Sequence, residues 1–263
     1  MFRLFFAHRK LEHCKRSREF EVFQPVPKQI PLPLDSRSEP SLTNFIAGRN
    51  REAQEAVSGI AADRGERVVY LWGEKGTGKT HLLKAVHREV AERKRNIVFL
   101  SDRSTDAARE SAMNSREMDL ICIDDIDRQA GNRDREEILF HLYNQAEAKG
   151  ARLLISGQRN PSGAGFSLPD LGSRLSAGLV LKLHPLDDDG RRMALRRRAR
   201  EWGFTLSDRV ITFLLYRCQR DMHSLFALLE RIEQATLVEK RRVTIPFVRG
   251  LLASFPGNVA QES

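Results

Sequence analysis

The run GEKGTGKT, residues 73–80, sets three glycines, a lysine and a threonine at the spacing G-x-x-x-x-G-K-[ST]. Gly73, Gly76 and Gly78 let the backbone turn its N–H groups inward around phosphate oxygens, and Glu74, Lys75 and Thr77 complete the loop between them. Lys79 neutralises charge on the β/γ phosphates, Thr80 offers a hydroxyl to Mg²⁺, and the helix that continues through His81 adds its N-terminal dipole. Some 45 residues later comes LICIDDID, an apolar run that ends in carboxylates. Asp124 suits Mg²⁺, held directly or through water, and Asp125 suits the orientation of an attacking water. The bland readings are a Gly-rich turn that matches by chance and paired acids that only cap the next helix. A strand before the loop and a helix after it weigh against both. The chemistry implied is nucleoside phosphate binding, with hydrolysis a separate question.

Such a loop works only if a strand and a helix hold it. Short apolar runs at VVYLW (68–72), IVFLS (97–101), LICID (120–124), RLLIS (152–156) and LVLKL (179–183) have the composition of strands buried on both faces. Helical spacing lies between them, at NREAQEAVSGIAAD, HLLKAVHREVAE and DREEILFHLYNQAEAKG, the last stopped by Gly150. The connection between the last two runs reads as a looser Gly/Ser loop. Alternation of this kind predicts an α/β fold with a five-stranded parallel sheet flanked by helices. After Pro185 the strands cease, and four helices with Asp or Ser starts predict a small all-α lid. The expected organisation is a basic extension at 1–21, a Pro-rich tether at 22–41, the nucleotide-binding domain at 42–184, the lid at 185–254 and a tail at 255–263.

Of 263 residues, 41% are hydrophobic and 30% charged, which is enough for a core and excludes no globular class. No apolar run reaches the length of a membrane span, so no membrane partner is expected. Cys14, Cys122 and Cys218 show neither metal spacing nor a paired framework, which suits a reducing cytoplasm. A net charge of +9 favours acidic partners or work near nucleic acid, and a solvated basic surface explains it equally well. The helical stretch RRMALRRRARE (191–201) concentrates that charge. It reads as a DNA or acidic-protein contact, or as a solvated lid face anchored beneath by Met193, Leu195 and Trp202.

The two phosphate-site motifs and the helical lid together resemble the AAA+ ATPases, and within them the DnaA group, across residues 42–254. LTNFIAGRN (42–50) is similar to the family's adenine-side stretch, which implies that Phe45 and Ile46 close over the base of ADP or ATP. LLISGQ (153–158) stands where the family's first sensor belongs, which implies a catalytic role for Ser156. LGSRLSAGL (171–179) resembles the segment with the arginine finger, which puts that finger at Arg174, acting in trans. His223 takes the place of the lid arginine, with Arg220 one turn earlier as its substitute, and Gln158 replaces an acid. Both departures imply tight nucleotide holding with weak turnover.

Ahead of this module, KQIPLPL (28–34) has prolines that enforce an extended backbone presenting Gln29, Ile30, Leu32 and Leu34. It resembles the peptide by which the Hda group of DnaA-related proteins docks on the DNA polymerase sliding clamp. The resemblance therefore implies a cytoplasmic regulator that meets DnaA-ATP on clamp-loaded DNA and promotes hydrolysis there, limiting initiation of replication. It also admits a homo-oligomer. A helicase-loader-like or nucleic-acid-remodelling ATPase is the alternative. It would show DNA-stimulated turnover and leave the peptide idle.

Overall fold

The computed structural model describes residues 39–115, 117–218, 221–239 and 242–253. Helix α1 (Arg51–Ala61) leads into β1 (Val68–Trp72), α2 (Lys79–Glu92), β2 (Ile97–Leu100), α3 (Asp106–Asn114) and β3 (Leu120–Ile123). Then come α4 (Arg133–Lys149), β4 (Arg152–Gly157), α5 (Pro169–Ala177) and β5 (Leu179–Lys182). Helices α6 (Asp188–Glu201), α7 (Asp208–Arg217), α8 (Met222–Glu239) and α9 (Ile245–Ala253) follow.

The strands form one parallel sheet in the order β2-β3-β4-β1-β5. Alternate residues of each strand face opposite sides, and both sides are covered, so the strands read as unbroken apolar runs. Val69, Leu71, Cys122 and Leu154 pack against Val57, Ile60, Leu82 and Val86 of α1 and α2. Tyr70, Ile121, Ile123 and Ile155 pack against Leu139 and Ala146 of α4 and Leu171 and Leu175 of α5. The lid has its own core, in which Leu195, Ile211, Leu214, Leu225, Leu229, Ile232 and Val248 meet. Its helices open as expected on side-chain caps. Asp187 accepts from the Gly190 N–H (2.8 Å), Ser207 from Val210, Asp221 from Ser224 and Thr244 from Phe247.

Three features differ from the sequence expectation. The supposed loop between β4 and β5 contains α5, begun by Pro169 and held by the buried Leu171 and Leu175, one turn apart. Its glycine and serines lower helix propensity, and tertiary burial overrides them. Helix α3, capped by Thr105, shows no wide apolar stripe and was not legible. Met193 does not anchor α6: it is 55% exposed, while Leu195 is buried and Trp202 partly so.

One buried acid ties the second face of the sheet together. The Glu136 carboxylate is 0% exposed and accepts from the N–H groups of Gly131 (2.7 Å), Ser167 (3.0 Å) and Leu168 (2.7 Å). It thereby joins the start of α4 to the entry of α5. Three hydrogen bonds to one charge offset the cost of burying it.

Candidate functional site

The phosphate loop links the end of β1 to the start of α2, and its glycines are there for lack of room. A Cβ on Gly73 would lie 2.5 Å from the Leu183 carbonyl oxygen. On Gly78, at φ +98°, it would lie 2.8 Å from Phe45 Cε2. Thr77 is buried and donates to the Glu74 carbonyl at 2.9 Å, while Lys75 points to solvent. Lys79 is buried, and its Nζ donates to the carbonyls of Gly73 (2.6 Å) and Glu74 (2.9 Å). Burial pulls its pKa below the ordinary lysine value, and the charges of Asp125, Asp124 and Asp127 oppose that pull.

At the end of β3 the two motifs meet. The Thr80 hydroxyl donates to Asp124 Oδ1 (3.2 Å), and Ser156 Oγ donates to the same oxygen (2.5 Å). Ser156 Oγ also accepts the Asp125 N–H at 3.0 Å. Ser156, from β4, thus orients the Asp124 carboxylate and anchors the backbone of Asp125. Asp125 sits in the left-handed region (φ 50°, ψ 50°), an uncommon conformation for a non-glycine residue, which turns the chain sharply off the strand. Burial and the neighbouring Asp124 hold its pKa above the usual carboxylate value.

Among the described residues no three His, Cys, Asp or Glu side chains gather as a metal cage. A carboxylate and a hydroxyl 3.2 Å apart beside a phosphate loop still fit Mg²⁺, which takes few protein oxygens and completes its shell with water and phosphate. Thr80 and Asp124 would hold it, and when bound it would neutralise phosphate charge.

Beside the loop lies an open, mostly apolar cleft. Asn44, Phe45, Ile46 and the 76–78 turn form one side; Leu186, Ala194, Met222 and Phe226 form an apolar wall across from them. Phe45 and Ile46 therefore both line the cleft beside the phosphate loop. His81 also lines the cleft, 5.6 Å ring to ring from Phe45, and its Nε2 bonds the Ser41 carbonyl at 3.1 Å. Burial holds its pKa below the ordinary histidine value.

Sequence reading missed several contributors. Arg197, Arg198 and Glu201 close the cleft from the end of α6. Asp127 accepts the Gln158 N–H (2.9 Å) and so fixes the segment after β4. Asn50 is buried, with its amide clasping His184 through both N–H (2.7 Å) and C=O (2.9 Å). Each fell inside a stretch quoted above without being given this role: Arg197, Arg198 and Glu201 in 191–201, Asp127 in LICIDDID and Asn50 at the end of 42–50.

Arg174 is not brought to the phosphate loop. Arg174, in the last turn of α5, pairs with Glu147 (2.9 Å) and lies over the rings of Phe140 (5.1 Å) and Tyr143 (5.5 Å). His223 is exposed in the first turn of α8, whose start touches the loop: Met222 N and Asp221 Cβ lie 3.5 and 3.8 Å from where a Gly76 Cβ would stand. Arg220 and the peptide residues Gln29, Ile30, Leu32 and Leu34 lie outside the described residues. Much of the basic helix is met by lid groups. Arg191 pairs with Asp188, Arg196 with Asp208, Arg197 and Arg198 with Glu201, and Arg192 donates to Thr212.

Residues 37–182, more than half of the chain, match the family model of the bacterial DnaA ATPase domain. The chain belongs to the DnaA ATPase family. Its residues 188–252 match the model of the Hda lid domain, so the DnaA-type module carries an Hda-type lid. A Haemophilus influenzae protein described only as uncharacterized is 36% identical over 227 residues, covering 86% of this chain and 98% of that one. Domain III of the Thermotoga maritima replication initiation protein DnaA superposes with a TM-score of 0.73 at 23% identity, covering 86% of this chain and 99% of that one. AMPPCP-bound DnaA from Aquifex aeolicus gives 0.63 at 23% identity, covering 74% and 65% respectively. The Thermotoga maritima RuvB branch migration motor also gives 0.63, at 22% identity and 83% and 72% coverage. These structures establish the shared AAA+ fold. Against a DnaA bound to AMPPCP and single-stranded DNA, this chain spans 64% of that protein's length.

Proposed function

We propose that this DnaA-related AAA+ regulator promotes hydrolysis of ATP held by DnaA, and so limits the initiation of replication. It would hold its own ADP or ATP, with Mg²⁺, between the phosphate loop and the Phe45–Phe226 cleft. Gln29, Ile30, Leu32 and Leu34 would dock it on the DNA-loaded sliding clamp, so that its DNA contact runs chiefly through the clamp. Arg174 would supply positive charge to the γ-phosphoryl group of the partner's nucleotide, an effect worth about 10³–10⁵ in rate in other NTPases.

The observation that carries this reading is the placement of Arg174. It contacts Glu147, Phe140 and Tyr143 rather than any residue of its own phosphate loop, and its side chain is 39% exposed. A cation displayed on the module's outer face serves a neighbour's nucleotide better than its own. The Asp124–Ser156–Asp125 network supports a site ordered for holding nucleotide, which in turn orders the lid.

The test is hydrolysis of DnaA-bound ATP on clamp-loaded DNA. Wild type should accelerate it. Arg174→Ala should lose the acceleration while keeping clamp binding, and the Gln29/Leu32/Leu34→Ala variant should lose clamp binding as well. Acceleration by Arg174→Ala at the wild-type rate would remove the finger assignment, and no acceleration by wild type would remove the function.

A further inference from the structure

We infer that Arg128 is a positioning residue that restrains Asp125 and so slows the chain's own nucleotide hydrolysis. The inference rests on the reading of this site as a nucleotide-holding site, and it gives slow turnover a cause within the chain.

Arg128 lies in the short 3-10 turn Ile126–Gln129 that follows the left-handed Asp125. Its Nε is 3.5 Å from Asp125 Oδ2, and its NH1 donates to Asp102 Oδ2 at 2.7 Å. Asp102 follows the end of β2, so the guanidinium bridges two strand ends, with the stronger bond on the side away from Asp125. That anchor keeps the cation beside Asp125. The Asp125 backbone N–H is also held by Ser156 Oγ, which fixes the main chain that carries the carboxylate.

A carboxylate that orients water needs a lone pair free to accept from it. One Asp125 oxygen instead faces a fixed cation, which weakens it as an acceptor and limits its rotation. Arg128 therefore favours holding over turnover. The side chains of Arg128, Asp102 and Asp125 are 52%, 30% and 26% exposed, so water and salt temper the effect.

The experiment is single-turnover hydrolysis of pre-bound ATP by the full chain, with ATP affinity measured separately by equilibrium titration. Arg128→Met keeps the aliphatic stem and removes the charge. It should raise the rate about 2- to 5-fold, the equivalent of one exposed ion pair, with Kd changed by less than about 2-fold. Arg128→Lys should stay near the wild-type rate, and Asp102→Asn, which loosens the anchor, should fall between. In an Asp125→Asn background Arg128→Met should add nothing, since its effect runs through that carboxylate. A rate for Arg128→Met equal to or below wild type, or a gain that persists without Asp125, overturns the inference alone. Failure of wild type to retain ATP or ADP overturns it together with the nucleotide-holding reading.

Discussion

Ser156→Ala tests whether the sensor hydroxyl is the joint between the two acids. The hydroxyl donates to Asp124 Oδ1 at 2.5 Å and accepts the Asp125 N–H at 3.0 Å, at a residue with no solvent exposure. Losing a hydrogen bond to a charged group costs about 1.5–3 kcal/mol, and leaving a buried N–H unmatched costs about 1–3 kcal/mol. The two losses share one oxygen and do not add. Asp124 also keeps its Thr80 partner, so we expect about 2–3 kcal/mol in all. For a chain of this size that lowers Tm by about 4–10 °C. Urea unfolding followed by circular dichroism measures it, with Ser176→Ala as the control. Ser176 is exposed, bonding the Gly172 carbonyl in its own helix turn and, at 3.5 Å, the exposed Ser162 hydroxyl, so its loss should stay within about 0.5 kcal/mol. Nucleotide affinity should fall with Ser156→Ala, because the Asp124 carboxylate loses an orienting hydrogen bond and the Asp125 backbone loses its anchor. A destabilisation indistinguishable from the control, with affinity unchanged, would refute the joint.

Three further outcomes follow from the geometry. Gly78→Ala forces a Cβ to 2.8 Å from Phe45 Cε2 at a positive φ, so it should cost about 1–2 kcal/mol and sharply reduce nucleotide binding, read by fluorescent-nucleotide titration. Glu136→Ala leaves three part-buried N–H groups without their acceptor and should cost about 2–3 kcal/mol in urea unfolding. Asp63 has its pKa held below 3.8, first by its hydrogen bond from Arg152, then by the charge of Arg95 despite some desolvation. A depressed acid stabilises the fold above its unfolded pKa and loses that contribution as pH falls through the folded value. Asp63→Asn should thus slightly flatten the stability–pH curve below about pH 4, an effect that 1 M salt diminishes because Asp63 is mostly exposed.

Much of this molecule was legible because the physics is local. Strands covered on both faces must be apolar throughout, so VVYLW, LICI and RLLIS declared themselves, and the lid helices declared their starts through Asp187 and Ser207. The phosphate loop was legible because glycine is required where the backbone meets Leu183 and Phe45. The rest depends on contacts between distant residues. Helix α5 looks like a loop because Gly172, Ser173 and Ser176 are weak helix formers, and only the burial of Leu171 and Leu175 against the sheet makes it helical. Glu201, Asp127 and Arg128 are ordinary surface types until the fold sets them beside the cleft or the Asp125 carboxylate. Met193 falls in a helix too rich in arginine to show a clear apolar face, so the sequence pointed it inward while the fold leaves it outside.

The clasp between Asn50 and His184 sets where the lid can pivot. It ties the backbone just beyond β5 to the start of α1, so the last pinned point before α6 is residue 184. Only Pro185, Leu186 and Asp187 remain as hinge, and proline removes one of their soft torsions. Leu186 is also part of the cleft wall, and its Cδ2 would lie 3.2 Å from a Gly48 Cβ. A rotation about so short an axle cannot open the cleft without moving a residue that lines it. The connection to the lid and the cleft wall therefore share Leu186, so a ligand filling the cleft would also restrain the segment that leads into α6.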